Sequence, residues 1–185
     1  MMRRNWRSHF LKIFSLFLLL FLALVISFLL EKPSLKVPTD IPAAISLSEL
    51  STLDCGPVTE VIDGDTIKVR LKESVQTVRY LSIDTPEIEH SFTGKDQPFG
   101  QEAKTLNESI VRDKVVCLQY DLQQKDTYNR LLAYVFLDNG IMVNEILLRA
   151  GYARLLIIKP NIKYTQRLTI AQQKAVEEKR EIWSR

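Results

Sequence analysis

Five short runs rich in β-branched residues, each ended by a turn of Gly, Pro, Asp or Asn or by a break in the pattern, lie between residues 57 and 137 and restrict the chain to a small sheet. Pro57 to Ile62 and Thr66 to Leu71 flank Asp63-Gly64-Asp65, a glycine turn of the kind that joins antiparallel strands. The third run, Gln76 to Ile83, stops at Asp84-Thr85-Pro86-Glu87, because proline has no N–H to give to a ladder. Together these three predict a meander. Val115 to Tyr120 and Leu131 to Leu137 supply two more strands, the last one turning at Asp138-Asn139-Gly140. Elsewhere the apolar spacing is helical: Phe99 to Val111, Met142 to Ala150 with Gly151 as its stop, and Thr165 to Arg180 as a charged amphipathic helix. Five strands interrupted by three helices predict an α+β domain built on a small closed barrel of the OB type.

Upstream, Ile13 to Leu30 carries no charge and follows the basic flank 1–12 with Arg3, Arg4, Arg7 and Lys12. At about 1.5 Å per residue such a helix reaches roughly 27 Å, close to the thickness of a bilayer's hydrocarbon core. The run is longer than the apolar stretch of a cleaved signal peptide, roughly 7–15 residues, and no small-x-small site follows it promptly. The expectation is therefore an uncleaved transmembrane signal-anchor over 13–30, with a cleaved signal as the alternative. The basic flank stays cytoplasmic and everything after it crosses. Residues 31–55, with Pro33, Pro38 and Pro42, read as a linker, and 56–185 as the folded domain.

The formal charge of +3 is a membrane-flank effect. Setting those four basic residues aside from the 25 Lys and Arg leaves 21 against 22 acids, so the domain is nearly neutral. Affinity for a polyanion must come from local arginine and lysine placement or from a bound cation. Cys55 and Cys117 can close a disulfide around a loop of about 60 residues in an oxidising compartment. The alternative is two separate buried thiols, since neither C-x-x-C nor metal-ligand spacing is present. His9 and His90 do not form a zinc set.

Chemistry concentrates in Asp65, Asp84, Glu87, Arg79 and Arg130, which strand geometry can bring together. Hard cations such as calcium take several oxygen ligands, and two carboxylates from separate strand ends plus a backbone carbonyl supply them. Arginine suits a phosphodiester because its planar fork meets two phosphate oxygens and keeps its charge at neutral pH. Taken singly, the Asp-Gly and Asp-Thr-Pro segments are ordinary turn formers.

Six ordered motifs go further: Val61-Ile62-Asp63-Gly64-Asp65-Thr66; Arg79 with Asp84-Thr85-Pro86-Glu87; Asp126-x-Tyr128-x-Arg130; Met142-Val143-Asn144-Glu145; Lys159-Pro160-Asn161; and Ile182-Trp183-Ser184. In order and spacing they resemble the thermonuclease (staphylococcal nuclease) family over residues 56–185. The resemblance implies an OB-fold barrel with three helices, calcium dependence, and endonucleolytic cleavage of DNA and RNA that leaves 3′-phosphates; a monomer is expected. It makes Asp65, Asp84 and the Thr85 carbonyl the calcium ligands. It makes Glu87 the group that positions or deprotonates the attacking water, Arg79 and Arg130 the phosphate-binding pair, and Tyr128 a neighbour of the bound nucleotide.

The chain departs from the family's best-known member at Thr127 and Asn129, which replace a lysine and a glycine, and Asn tolerates the left-handed backbone that glycine allows. Leu155-Leu156-Ile157-Ile158 lacks the tyrosines that stack on the base there, so weaker or altered substrate preference is expected. The competing expectations are a non-catalytic OB-type module that binds nucleic acid or protein, and a purely structural envelope domain.

Overall fold

The computed structural model describes residues 43–88 and 97–184, together with Phe21. Apart from Phe21, the expected membrane span 13–30 lies outside the described residues, as does His90. Among the described residues no helix is long and apolar enough to cross a membrane.

The elements run α1 (Leu47–Leu50), β1 (Asp54–Val61), β2 (Thr66–Leu71), β3 (Ser74–Tyr80), β4 (Ile83–Asp84), α2 (Gly100–Val111), β5 (Val115–Lys125), β6 (Leu131–Leu137), α3 (Val143–Arg149), β7 (Arg154–Leu155) and α4 (Thr165–Glu177), then a 3-10 turn at Glu181–Trp183. Five strands form a closed barrel in the order β1-β2-β3-β6-β5. All its pairings are antiparallel except β3 with β6, which is parallel.

In β2 the alternation predicts the outcome: Ile67 and Val69 are buried inside the barrel while Arg70 is exposed. Strand β6 departs from alternation, with Ala133 to Leu137 buried without interruption. Helix α3, buried along its whole length, packs against β6, so the strand has two apolar surroundings. Helix α4 covers α3 with Leu168, Ala171 and Ala175, a stripe at helical spacing. Each large apolar side chain buried this way contributes roughly 1.5–3 kcal/mol.

The third expected strand, 76–83, is two strands. It breaks at Leu81-Ser82, where Ser82 takes a left-handed backbone with φ 62°. The Leu81 carbonyl accepts from Asn144 Nδ2 at 2.8 Å, so a helix side chain captures a group that would otherwise serve the ladder. The remainder becomes β4 and pairs with β7 in a separate two-stranded sheet. Among the described residues, helix α1 adds to the three helices expected in the domain, and with the start of β1 it occupies positions read as linker. Its N-cap is Ser46, whose hydroxyl accepts from the Glu49 N–H at 3.2 Å.

Cys55 and Cys117 sit opposite each other in the β1–β5 register and form a disulfide, with Cα atoms 4.0 Å apart. This resolves the two sequence alternatives in favour of the bond. It lies on the seam where the barrel closes.

Candidate active site and phosphate-binding cleft

The β2–β3 register places Thr66 opposite Arg79 and lets the Tyr80 N–H donate to the Asp65 carbonyl at 2.9 Å. Asp65, at the end of the β1–β2 turn, therefore lies beside Arg79 although 14 positions separate them. The turn is held from within by Asp63 Oδ1, which accepts the Asp65 N–H at 3.0 Å, and from behind by α2, where Asn107 Nδ2 donates to the Asp63 carbonyl at 3.1 Å. Gly64 allows the close approach of Thr85, just after β4, and of helix α2: a Cβ there would meet Thr85 Oγ1 at 2.6 Å and Ala103 Cβ at 2.9 Å. Gly64→Ala is expected to lower stability by about 1–3 kcal/mol in thermal denaturation. An unchanged midpoint would show that the turn does not rest on Thr85.

Asp65 and Asp84 converge on one guanidinium. Arg79 Nη1 contacts Asp65 Oδ2, and Arg79 Nη2 donates to Asp84 Oδ1 at 2.7 Å. Nη1 also donates to the Ile83 carbonyl at 3.2 Å. Asp65 is fully buried, with its Oδ2 accepting the Thr85 N–H at 2.8 Å and its Oδ1 the Thr66 hydroxyl at 3.2 Å. The side chain of Asp84 is 49% exposed and opens to solvent.

Arg130 reaches the same region from the turn between β5 and β6. Asp126 Oδ1 accepts the N–H groups of Tyr128 and Arg130, both at 2.9 Å, and Asn129 supplies the left-handed residue with φ 63°. The glycine-to-asparagine departure therefore preserves a tight turn. Arg130 Nε donates to Asp126 Oδ2 at 2.7 Å, and its guanidinium lies 5.5 Å from the centroid of the Tyr128 ring, whose residue is 80% exposed. Arg79 and Arg130 line one cleft of about 290 Å³, together with the exposed aliphatic side chains of Leu156 and Ile158.

Glu87 is half-buried. Its backbone is pinned by Gln97, whose N–H donates to the Glu87 carbonyl at 2.9 Å and whose side-chain oxygen accepts the Glu87 N–H at 3.4 Å. Burial pushes its carboxyl up, and the charges of Asp63 and Asp84 add to the push while Arg79 and Arg130 pull it down. Asp65 is pushed up to about 7 by burial, assisted by Asp63 and Asp84, against the pull of Arg79 and the Thr85 N–H.

The oxygen donors fit a hard divalent cation: two carboxylates held within the span of one guanidinium, with the Thr85 backbone beside them. Among the described residues no group of three or more His, Cys, Asp or Glu side chains is placed to enclose a metal. The arrangement suits an ion that shares its shell with water and substrate oxygens, rather than a closed cage.

Several functional positions carry no sequence signal for their partners. Buried Asn107 accepts from the Tyr80 hydroxyl at 3.0 Å while holding the Asp63 carbonyl. Asn144 Oδ1 accepts the Val135 N–H at 2.9 Å, and Asn161 makes two bonds, of 2.8 and 2.9 Å, with the backbone of Gln123. Buried Glu145 accepts from Arg149 at 3.2 Å and from Arg167 at 2.5 Å. Asn144, Glu145 and Asn161 stand in the ordered motifs, without their partners, whereas the hint for Asn107 was a polar residue on an apolar helical face, between Ala103 and Ile110–Val111.

A five-stranded closed barrel thus seats Asp65 and Asp84 on the guanidinium of Arg79, and Arg79 in turn lines a cleft with Arg130, so that cationic and carboxylate groups stand side by side. A family model described as "Staphylococcal nuclease homologue" matches residues 77–185, and the chain belongs to that family. It is similar to the thermonuclease of Staphylococcus hyicus, at 42% identity over 127 residues covering 69% of this chain and 74% of the relative. It is also similar to the SPbeta prophage-derived endonuclease YokF of Bacillus subtilis (strain 168), at 43% identity over 126 residues covering 67% of this chain and 42% of the relative. Endonuclease YncB of the same organism is 41% identical over 126 residues, covering 67% of this chain and 59% of that protein. The chain thus spans less than two thirds of either Bacillus subtilis relative. The family match begins at Thr77, so Asp65 lies ahead of it.

Proposed function

We propose that the chain is a calcium-dependent endonuclease that hydrolyses DNA or RNA phosphodiesters to 3′-phosphate products, acting as a monomer tethered to the outer face of a membrane. The observation that carries the reading is the cleft shared by Arg79 and Arg130, with Asp65 and Asp84 both seated on the Arg79 guanidinium. The 3′-phosphate polarity rests on the family resemblance.

Asp65, Asp84 and the Thr85 carbonyl would hold the ion, which when bound supplies Lewis-acid polarisation of the phosphoryl group. Glu87 accepts the proton of the attacking water, a role for which a carboxyl with raised proton affinity is suited. Arg79 and Arg130 bind the non-bridging phosphate oxygens and stabilise the charge that develops as the bond to the leaving oxygen breaks. Tyr128 flanks the phosphate beside Arg130. The aliphatic pair Leu156 and Ile158 meets the base or sugar without an aromatic stack, which supports a loosened preference among bases.

The uncharged run 13–30 behind a basic flank supports the tether, and the Cys55–Cys117 disulfide supports an oxidising compartment for the domain. Incubation of the purified full chain with single-stranded DNA, in calcium or in a chelator, tests the enzyme. Calcium-dependent fragments with 3′-phosphate ends are expected. Binding without cleavage would leave a non-catalytic barrel.

Cation binding should also depend on pH. The folded, cation-free protein keeps the Asp65 proton up to about 7, whereas an ordinary aspartate releases it near 3.8. That group's contribution to stability is therefore fully present below about 4 and lost as pH rises towards 7. A divalent ion competes with the proton, so the gain in thermal midpoint on adding calcium should grow from pH 5 to pH 8. A flat profile would remove Asp65 from the ligand set.

A further inference from the structure

The two arginines of the cleft are in different states. Arg130, which lines the cleft, commits Nε to Asp126, while its two terminal nitrogens make no hydrogen bond among the described residues. Arg79 has both terminal nitrogens engaged, Nη1 with Asp65 and the Ile83 carbonyl and Nη2 with Asp84, and its side chain is only 14% exposed. One of these groups stands ready for a phosphate and the other is occupied by the acids.

We infer that Arg79 serves as the internal counter-ion of Asp65 and Asp84 in the cation-free protein, and that a divalent cation, by taking over the two carboxylates, releases its fork to the phosphate. The inference rests on the reading of those acids as cation ligands. It follows from charge and donor count. A buried carboxylate such as Asp65 requires a positive partner, and Arg79 is the one in contact with it. Two carboxylates and one guanidinium leave a net negative cluster, which repels phosphate. Adding a divalent ion makes the cluster net positive, and the guanidinium, no longer needed by the acids, turns its paired donors to an anion.

Two consequences separate this from simple independent sites. Cation and phosphate assist each other, because each removes an obstacle to the other. The cation alone, however, must displace a guanidinium, so removing that guanidinium helps the cation while abolishing the assistance.

The test uses isothermal titration of the purified full chain near pH 8, with calcium alone, thymidine 5′-monophosphate alone, and each in the presence of the other. In the wild type the nucleotide is expected to bind on the order of tenfold more tightly with calcium present, within the usual range for coupled sites. Arg79→Gln should bind calcium alone more tightly than the wild type, by about tenfold, and lose most of the coupling. Arg79→Lys, which keeps the charge without the fork, covers the case in which the glutamine variant fails to fold, and should show both changes to a smaller degree. Arg130→Gln removes an equal charge that does not touch the acids, so it should weaken the nucleotide while leaving calcium affinity within about twofold. Calcium affinity in Arg79→Gln and Arg79→Lys at or below that of the wild type would overturn the inference. So would an equal gain in Arg130→Gln, because the effect would then be general electrostatics. A wild type that binds no calcium would instead sink the reading of the acids as ligands.

Discussion

Arg130→Ala is expected to lower kcat on single-stranded DNA by about 10²–10³-fold, the usual loss when one preorganised donor to a transition-state anion is removed. The thermal midpoint should hardly move. The turn that carries Arg130 is fixed by Asp126 accepting two backbone N–H groups, which the substitution leaves in place. What is lost is an ion pair with Asp126 on a side chain 33% exposed, and pairs of that kind contribute about 0–1 kcal/mol. Glu87→Gln keeps the volume and the Gln97 backbone contacts while removing the proton acceptor, and should cost about 10²–10⁴-fold in kcat. Single-turnover rates with the melting curve alongside separate chemistry from folding. Near-normal kcat in either variant would show that another group performs its role.

The largest stability change should follow loss of the disulfide. Replacing Cys55 and Cys117 together by serine releases a loop of sequence separation 62, worth about 4 kcal/mol in the chain-entropy account. For a domain of this size that corresponds to roughly 10–15 °C in thermal midpoint. The bond joins β1 to β5, the pair that closes the barrel, so its absence should also speed hydrogen exchange at Gly56 and Val116 more than at β2 or β3. Wild-type protein melted in dithiothreitol should match the serine variant. A fall of only a few degrees would mean that the β1–β5 ladder already restricts the loop.

Much of the fold is legible in local patterns because strands and turns are local. β2 and β6 fall on the boundaries that the sequence predicts, and Asp63-Gly64-Asp65 does join antiparallel strands. The expected end of the third strand failed at Leu81-Ser82 for a non-local reason: the partner of the Leu81 carbonyl is Asn144, 63 positions away. Strand β7 was invisible because two residues, Arg154 and Leu155, acquire a pairing only when β4 is next to them. The same distinction holds at the site. Motif order nominated Asp65, Arg79, Asp84, Thr85, Glu87, Tyr128 and Arg130, yet it could not show that one guanidinium spans both aspartates, or that Asn107 holds the turn from behind.

Residue types and spacing alone pointed to the barrel class, since turn residues and β-branched runs act through their immediate neighbours, and the resemblance carried by the ordered motifs pointed to the family. Only the tertiary structure decided that Cys55 bonds Cys117, that β3 breaks where α3 claims a carbonyl, and that Arg79 is held by Asp65 and Asp84 through its terminal nitrogens while Arg130 bonds Asp126 through Nε. Those outcomes depend on contacts between distant segments, and on burial that makes an unpaired charge too costly to leave alone.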